Sequence, residues 1–268
     1  MKVVLFCGGL GMRMREYSET LPKPMVPIGY RPILLDVMKY YAHFGHKDFI
    51  LCLGYRGDLI KKYFLEYDEC ISNDFVLSQG SKGVELLHRD IHDWRITFAD
   101  TGITSNIGKR LKLVQKYLAG EEFFLANYTD GLSDVNLEAV IQTMKRADGI
   151  ACFISVRPNA SFHMVDADGD GRVRQIAHIR TTDARINGGF FVFRRDIFDY
   201  FEDGEELVEG PFHRLIAAGK LITYRHDGYW ACMDTFKEKQ ELEDIVARGT
   251  PPWAVWSESR ANSGEPHR

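Results

Sequence analysis

Three glycines within four positions, Gly8, Gly9 and Gly11, are followed two residues later by Arg13. Ten residues further on, Lys23 sits between Pro22 and Pro24. Glycines at that density let backbone N–H groups come close to phosphates or to a base edge. Arg13 adds a planar fork for phosphate oxygens and Lys23 a compact charge, on a segment its prolines stiffen. The chemistry on offer is the holding of a polyphosphate. A tight turn with two solvated cations reads equally from the same residues. The loop is not a P-loop, because GxxxxGK[ST] is absent. It is not a dinucleotide fingerprint either, because the run Gly9-x-Gly11-x-x-Met14 lacks the third glycine.

Carboxylates form the second set. In ANYTDGLSD (126–134), Asp130 lies in a turn after an apolar run, where it could hold Mg²⁺ against a triphosphate or simply close an Asx turn. Asp134 could assist it or cap the next helix. In GYWACMDT (228–235), Asp234 lies between a strand pattern and a helix pattern, as a helix cap or as a second carboxylate for the same metal. Asp36 and Asp93 read as caps or surface charges. The stretch DADGDG (166–171) imitates part of a calcium loop, but its twelfth position is Ala177 and not glutamate, so it reads as a hairpin turn. His163, His178, His213 and His226 lack zinc-ligand spacing. The five cysteines are scattered without a CxxC pair and read as buried reduced thiols.

These residues need a frame. KVVLF (2–6), DFILCLGY (48–55), WRITFAD (94–100), EEFFLANYTDG (121–131) and GIACFISV (149–156) read as strands. Stretches 31–45, 58–67, 108–120 and 135–147 between them carry helical spacing, two of them closed by Gly45 and Gly120. This βαβ rhythm implies a parallel sheet covered by helices, with ligands beyond the carboxyl ends of its strands. The glycine loop and the YTDG turn both fall at such ends. The second half is less regular. It reads as a hairpin over 163–180, a glycine pair leading into a strand at 186–195, and a helix over 206–220 blemished by Gly210 and Pro211. A strand and turn over 221–235 and a charged helix over 236–249 follow, and the last residues, 256–268, read as a disordered tail.

The chain of 268 residues is long enough for one large α/β domain, and a net charge of −4 gives no basic balance for a nucleic-acid partner. Nothing approaches an 18-residue apolar run, and the first residues are a strand entering a turn rather than a signal peptide. The expectation is a cytoplasmic protein without membrane contact.

Taken in order, GGLGMR with PKPMVPIG, then YTDG, INGGFFV and YRHDGYWACMDT resemble the sugar-1-phosphate nucleotidylyltransferase family, nearest its glucose-1-phosphate cytidylyltransferase branch. The likeness spans roughly residues 1–255. It implies a Rossmann-like α/β nucleotidyltransferase fold, a mixed, mostly parallel sheet with helices on both faces. The nucleotide-binding part would cover about 1–135 and a smaller sugar-binding part about 136–255. It implies that an NTP, with CTP as the first choice, and a sugar 1-phosphate, with glucose 1-phosphate as the first choice, give an NDP-sugar and pyrophosphate with Mg²⁺. Another NTP (UTP, dTTP, GTP), another sugar phosphate, or a binding module without catalysis are the alternatives. By the same resemblance Gly8, Gly9, Gly11 and Met12 wrap the nucleotide, Arg13 holds the leaving pyrophosphate and Lys23 neutralises the reacting phosphates. Arg110 helps bind the triphosphate, Asp130 and Asp234 fix the metal, and Asn187 and Gly188 contact the sugar. The family also implies a homo-oligomer. Two departures stand out. Met12 replaces a threonine, and RQIAHIR (174–180) has no lysine for the sugar phosphate: Ile179 falls at its place, leaving His178 or Arg180 as substitutes.

Overall fold

The computed structural model describes residues 1–9, 21–80, 82–159, 162–249 and 251–257. Its chain order begins with β1 (Val3–Phe6), a short ribbon of β2 (Pro27–Ile28) and β3 (Arg31–Pro32), and helix α1 (Ile33–His43). Then come β4 (Asp48–Leu53), α2 (Gly57–Leu65), the hairpin β5 (Phe75–Ser78) and β6 (Gly83–Leu86), β7 (Arg95–Asp100) and α3 (Ile107–Val114). Next are β8 (Phe123–Tyr128), β9 (Gly131–Ser133), α4 (Leu137–Arg146) and β10 (Ala151–Val156). The second half holds the hairpin β11 (His163–Ala167) and β12 (Val173–His178), then β13 (Ile186–Asn187), β14 (Phe191–Arg194) and α5 (Pro211–Ala217). It ends with β15 (Leu221–Arg225), β16 (Trp230–Cys232) and α6 (Phe236–Ala247).

The main sheet runs β15, β10, β13 with β14, β8, β1, β4, β7. Strands β8, β1, β4 and β7 are mutually parallel, as are β10 and β15, while β14 runs antiparallel to both β8 and β10. The sheet is therefore mixed. Period-two burial explains why helices cover both faces. Val3, Leu5, Phe49, Leu51 and Leu125 point to the side of α1 and α4, whereas Val4, Phe6, Ile50, Phe124 and Ala126 point to the side of α3 and α5. All these side chains are at most 5 % exposed, each contributing about 1.5–3 kcal/mol of burial for the larger ones.

Several expectations shift. The helix expected over 206–220 is confined to Pro211–Ala217, because Gly210 leaves helical geometry at φ −101° and ψ −84° and Pro211 can only open a helix. The helix over 108–120 tightens to a 3₁₀ turn from Gln115, and Gly120 ends it at φ +85°. The strand expected after the glycine pair is β14, and a two-residue strand, β13, precedes the glycines. Both β13 and β14 pair with the same edge of β10, and the break between them falls at Gly188–Gly189–Phe190. The β5–β6 hairpin was not foreseen. At the end of the described chain, Val255–Ser257 form a helical turn and Trp256 packs on the core. Residues 256 and 257 are therefore not part of a disordered tail, and 258–268 lie outside the described residues. All five cysteines are free, and burial pushes the Cys52 thiol up to about 12.

Asp93 is a surface charge, 2.5 Å from Lys47. Asp36 is neither cap nor surface charge. It is half-buried inside α1, where the fully buried Trp253 indole donates to it at 3.3 Å. Burial raises its pKa to about 6, against opposing help from Trp253, Lys39 and Arg31. A carboxyl that is harder to ionise in the fold than in the unfolded chain binds its proton longer in the native state. Its contribution to stability is thus fully present at low pH and falls as pH rises from about 4 to 6. Asp36→Asn is expected to remove this dependence. Urea unfolding of both proteins should show the substitution gaining, relative to wild type, on the order of 2–3 kcal/mol between pH 4 and pH 7.

Candidate active site

The carboxyl ends of β1, β4, β7 and β8 converge on one edge, as parallel strands require. Gly8 follows β1, Gly54 follows β4, Thr101 follows β7 and the YTDG turn follows β8. Thr129 in that turn is buried, and its hydroxyl donates to the Phe6 carbonyl at 3.1 Å, tying the turn to the end of β1. A glycine at that position could not make this bond.

Asp130 and Asp234 come together through a separate ribbon. Strands β9 and β16 pair antiparallel, with Gly131 opposite Cys232, so the residue before β9 faces the residues after β16. The Met233 N–H donates to the Asp130 carbonyl at 2.9 Å and extends the ladder by one bond. The cap of α6 explains why Asp234 keeps its side chain for other work. Thr235 is the N-cap, in a capping box with Glu238, and the Asp234 backbone N–H also donates to the Glu238 carboxylate at 2.8 Å. The helix-cap alternative for Asp234 is thereby excluded. Asp134 caps nothing either. Asn136 caps α4, while Asp134 accepts from the Tyr229 N–H at 2.9 Å and lies 2.9 Å from His226 Nε2.

Lys23 completes the group. Pro22 and Pro24 flank Lys23 at the start of a 3₁₀ turn, Lys23–Met25, whose buried Pro24 and Met25 anchor it to the core. The Lys23 Nζ donates to Asp130 Oδ2 and to Asp234 Oδ1, both at 2.5 Å. Burial works to lower the lysine pKa, but the two carboxylates outweigh it and hold the pKa above its ordinary value. Two carboxylate oxygens therefore already focus on one cationic point. Hard oxygen donors of this kind suit Mg²⁺, which takes one or two carboxylates and completes its shell with water and substrate phosphates. In keeping with so small a protein share, no group of three or more His, Cys, Asp or Glu gathers for a metal among the described residues. Asp130 and Asp234 could hold such an ion.

The glycine loop is described only at its start. A Cβ on Gly8 would lie 2.0 Å from Arg110 Nη1, so a side chain there is sterically barred, while one on Gly9 would meet nothing within 4 Å among the described residues. Gly11, Met12 and Arg13 lie outside the described residues. Arg110, which the resemblance assigns to the triphosphate, lies against the start of this loop. It is 2 % exposed, and its guanidinium lies beneath the loop. It donates to the Gly8 carbonyl (2.9 Å), the Leu53 carbonyl (3.2 Å), the Thr101 hydroxyl (2.7 Å) and the Ile103 carbonyl (3.4 Å). Burial lowers its pKa, and every one of these acceptors is uncharged. Arg110 positions the loop from its own chain.

The sugar-side candidates are arranged differently. Asn187 Oδ1 accepts the Gly189 N–H at 2.9 Å, so its carbonyl end caps the strand break. Asn127, unmarked in the sequence, accepts the Phe190 N–H at 2.9 Å and holds that residue at φ +52°. Gly188 is buried, and its carbonyl accepts from the Trp230 indole at 2.9 Å. His178 and Arg180 sit at the far end of β12. His178 Nδ1 accepts the Arg180 N–H at 3.2 Å, and the Arg180 guanidinium donates to Asn159. No hydrogen bond or ion pair joins either to the Lys23 group among the described residues. Thr101, Thr129 and Asn127 carried no sequence signal beyond a polar residue at the end of an apolar strand.

Residues 2–235 match the family profile described as Nucleotidyl transferase. The chain is 38 % identical to glucose-1-phosphate cytidylyltransferase of Salmonella typhi over 258 residues, covering 96 % of this chain and all of the relative. It is 36 % identical to the probable glucose-1-phosphate cytidylyltransferase of Bacillus subtilis over the same share of both. A putative glucose-1-phosphate thymidylyltransferase from Bacillus anthracis, solved in complex with a sucrose, superposes with a TM-score of 0.66. It is 14 % identical and covers 93 % of this chain and 96 % of its own, so it speaks for the fold.

Proposed function

The chain belongs to the nucleotidyl transferase family, and from that premise we propose that it joins CTP to glucose 1-phosphate, with Mg²⁺, releasing pyrophosphate and forming CDP-glucose. The class of reaction, nucleotidyl transfer to a sugar 1-phosphate, follows from relatives matched over their whole length. The observation that carries the reading is the convergence of Lys23, Asp130 and Asp234 beyond the carboxyl ends of the parallel strands.

An oxygen of the sugar phosphate attacks the α-phosphorus of the nucleotide in line, and the bond to the β-phosphate oxygen breaks. Both reactants are anions, so positioning and charge neutralisation carry the catalysis. Lys23 meets the reacting phosphates, and Arg13 takes the charge that builds on the departing pyrophosphate. Asp130 and Asp234 hold the ion, which when bound neutralises charge between the phosphates. Gly8, Gly9 and Gly11, with Met12, wrap the nucleotide, and Arg110 keeps the loop in place. Asn187 and Gly188 line the sugar side. On this reading the nucleotide half covers about 1–135, the sugar half about 136–255, and the working form is a homo-oligomer. No helix among the described residues is long and apolar enough to cross a membrane, which fits small soluble reactants.

The test is a pyrophosphate-release assay with CTP, UTP, dTTP, GTP and ATP, each with glucose 1-phosphate and Mg²⁺. Release with CTP at least tenfold faster than with the others is the expected result. Equal or faster release with another NTP would move the assignment to that base, and silence with all five across a panel of sugar phosphates would overturn it.

A further inference from the structure

Three arginines from neighbouring strands share one carboxylate. Strands β10 and β15 run parallel, with Ser155 beside Arg225, so their carboxyl ends finish side by side. Arg157 stands two residues beyond Ser155, and Asp227 two beyond Arg225. Arg185 enters from the residue before β13, which pairs with β10 at Ser155 and Val156. All three guanidiniums close on Asp227. Arg157 Nε and Arg225 Nε each lie 3.6 Å from its oxygens, and Arg185 Nη2 donates to it directly. Arg157 also donates to the Arg180 carbonyl at 2.9 Å, bringing a fourth arginine alongside.

The cluster is built into the sheet. The Arg185 side chain is only 14 % exposed, and its Nη1 donates to the Ser155 carbonyl at 2.9 Å and the His226 carbonyl at 3.1 Å. It thereby locks the two strand ends together. Arg157 and Arg225 are half exposed, so their remaining N–H groups face solvent. Three guanidiniums against one carboxylate leave two positive charges in excess, and no carboxylate other than Asp227 ion-pairs with any of the four arginines among the described residues. Such an excess repels itself until an anion arrives. A phosphate monoester carries close to two negative charges at neutral pH and presents oxygens that match guanidinium forks.

The location says which phosphate. The cluster lies beyond the carboxyl ends of parallel strands, where ligands of such sheets bind. It adjoins the Asn187–Gly188 break on one side. On the other, Arg185 donates to the His226 carbonyl, and the His226 imidazole lies 2.9 Å from Asp134, four residues after Asp130. We propose that Arg157, Arg185 and Arg225, arranged around Asp227, bind a phosphate of the acceptor sugar. This deepens the proposed function and rests on it for the identity of the ligand. The phosphate is either the reacting 1-phosphate or a second one carried elsewhere on the sugar ring.

The test uses the full-length protein with Arg157→Gln, Arg225→Gln and the double substitution, both sites being exposed enough to spare the fold. Pyrophosphate release is followed with glucose 1-phosphate and with glucose 1,6-bisphosphate. The double substitution is expected to raise the acceptor KM by about tenfold or more while the KM for CTP stays within about twofold. A rise with glucose 1-phosphate assigns the cluster to the reacting phosphate. A wild-type preference for the bisphosphate that the substitutions erase assigns it to the second one. Unchanged KM for both acceptors overturns the proposal. Calorimetry with inorganic phosphate gives a readout independent of turnover. Asp227→Asn removes the competing carboxylate and is expected to tighten phosphate binding about fivefold or more, an effect that vanishes when Arg157→Gln and Arg225→Gln are added. Binding unchanged or weakened by Asp227→Asn overturns the proposal even if the wild type turns over. A wild type that binds phosphate in this pattern but releases no pyrophosphate overturns the proposed function instead.

Discussion

Lys23→Met is expected to lower kcat for pyrophosphate release by about a thousandfold, more than any other single change at the site. Removing one well-placed charge-assisted donor from a reacting centre costs roughly 10²–10³ in rate. Here the same nitrogen also lies 2.5 Å from each of two carboxylates. Without it Asp130 and Asp234 lose the ammonium they share. A stability signature accompanies the loss of rate. The lysine pKa is raised in the fold, so its contribution is fully present below the unfolded lysine pKa and is lost as pH rises through the folded value. The Tm difference between wild type and Lys23→Met should therefore be constant across neutral pH and close only above pH ~10. Lys23→Arg should recover part of the Tm and little of the rate, because a planar fork does not fit the point that two carboxylates focus on. A kcat within tenfold of wild type for Lys23→Met would remove Lys23 from the chemistry.

Arg110→Met comes second in size. The guanidinium joins the starts of three loops, after β1, β4 and β7, through four acceptors. The substitution leaves those acceptors without their donor and opens space under Gly8. A destabilisation of about 3 kcal/mol is expected, with the KM for CTP rising ten- to a hundredfold as the loop loses its underside. Arg110→Lys should restore the charge and not the KM, because one ammonium cannot reach across all three loops. The pairing of these results separates a positioning role from direct phosphate contact. If Arg110 held the triphosphate itself, the lysine would recover much of the affinity.

What the sequence disclosed follows from the range of the interactions involved. Strands β1, β4 and β8 were legible because burial on both faces writes a run of apolar residues, and Asp130 because it ends such a run. The association of Lys23 with Asp130 and Asp234 came from the family resemblance. The pairing of β9 with β16 that builds it joins segments about a hundred residues apart, and no local pattern records it. Helix α5 was overextended because apolar spacing continues upstream of Pro211, where backbone geometry overrides it. The β5–β6 hairpin went unseen because its short strands are exposed and lack the apolar run that marks the central ones. The intrachain partners of Arg110 were not legible, since three of them are backbone carbonyls that carry no sequence identity. The arginines around Asp227 gave no signal because they are scattered from residue 157 to 225 and meet only when β10, β13 and β15 align.

The place of β1 in the sheet also sets a timetable. It is made before every other described strand of its sheet, yet its two neighbours, β4 and β8, end at residues 53 and 128, and Lys23 meets Asp234 across a separation of 211 residues. At ribosomal rates of about 5–20 residues per second, VVLF waits roughly ten seconds for its second flank. The chain therefore has little to gain from folding as it emerges, and such non-local pairing makes for slow refolding from denaturant. The order of synthesis is fixed in turn: the strands of the sheet centre are available first, and the corner where Lys23 meets Asp130 and Asp234 is assembled only after β16 has been made. A nascent chain halted before Asp234 would own every strand of its main sheet and lack one of the two carboxylates that meet Lys23.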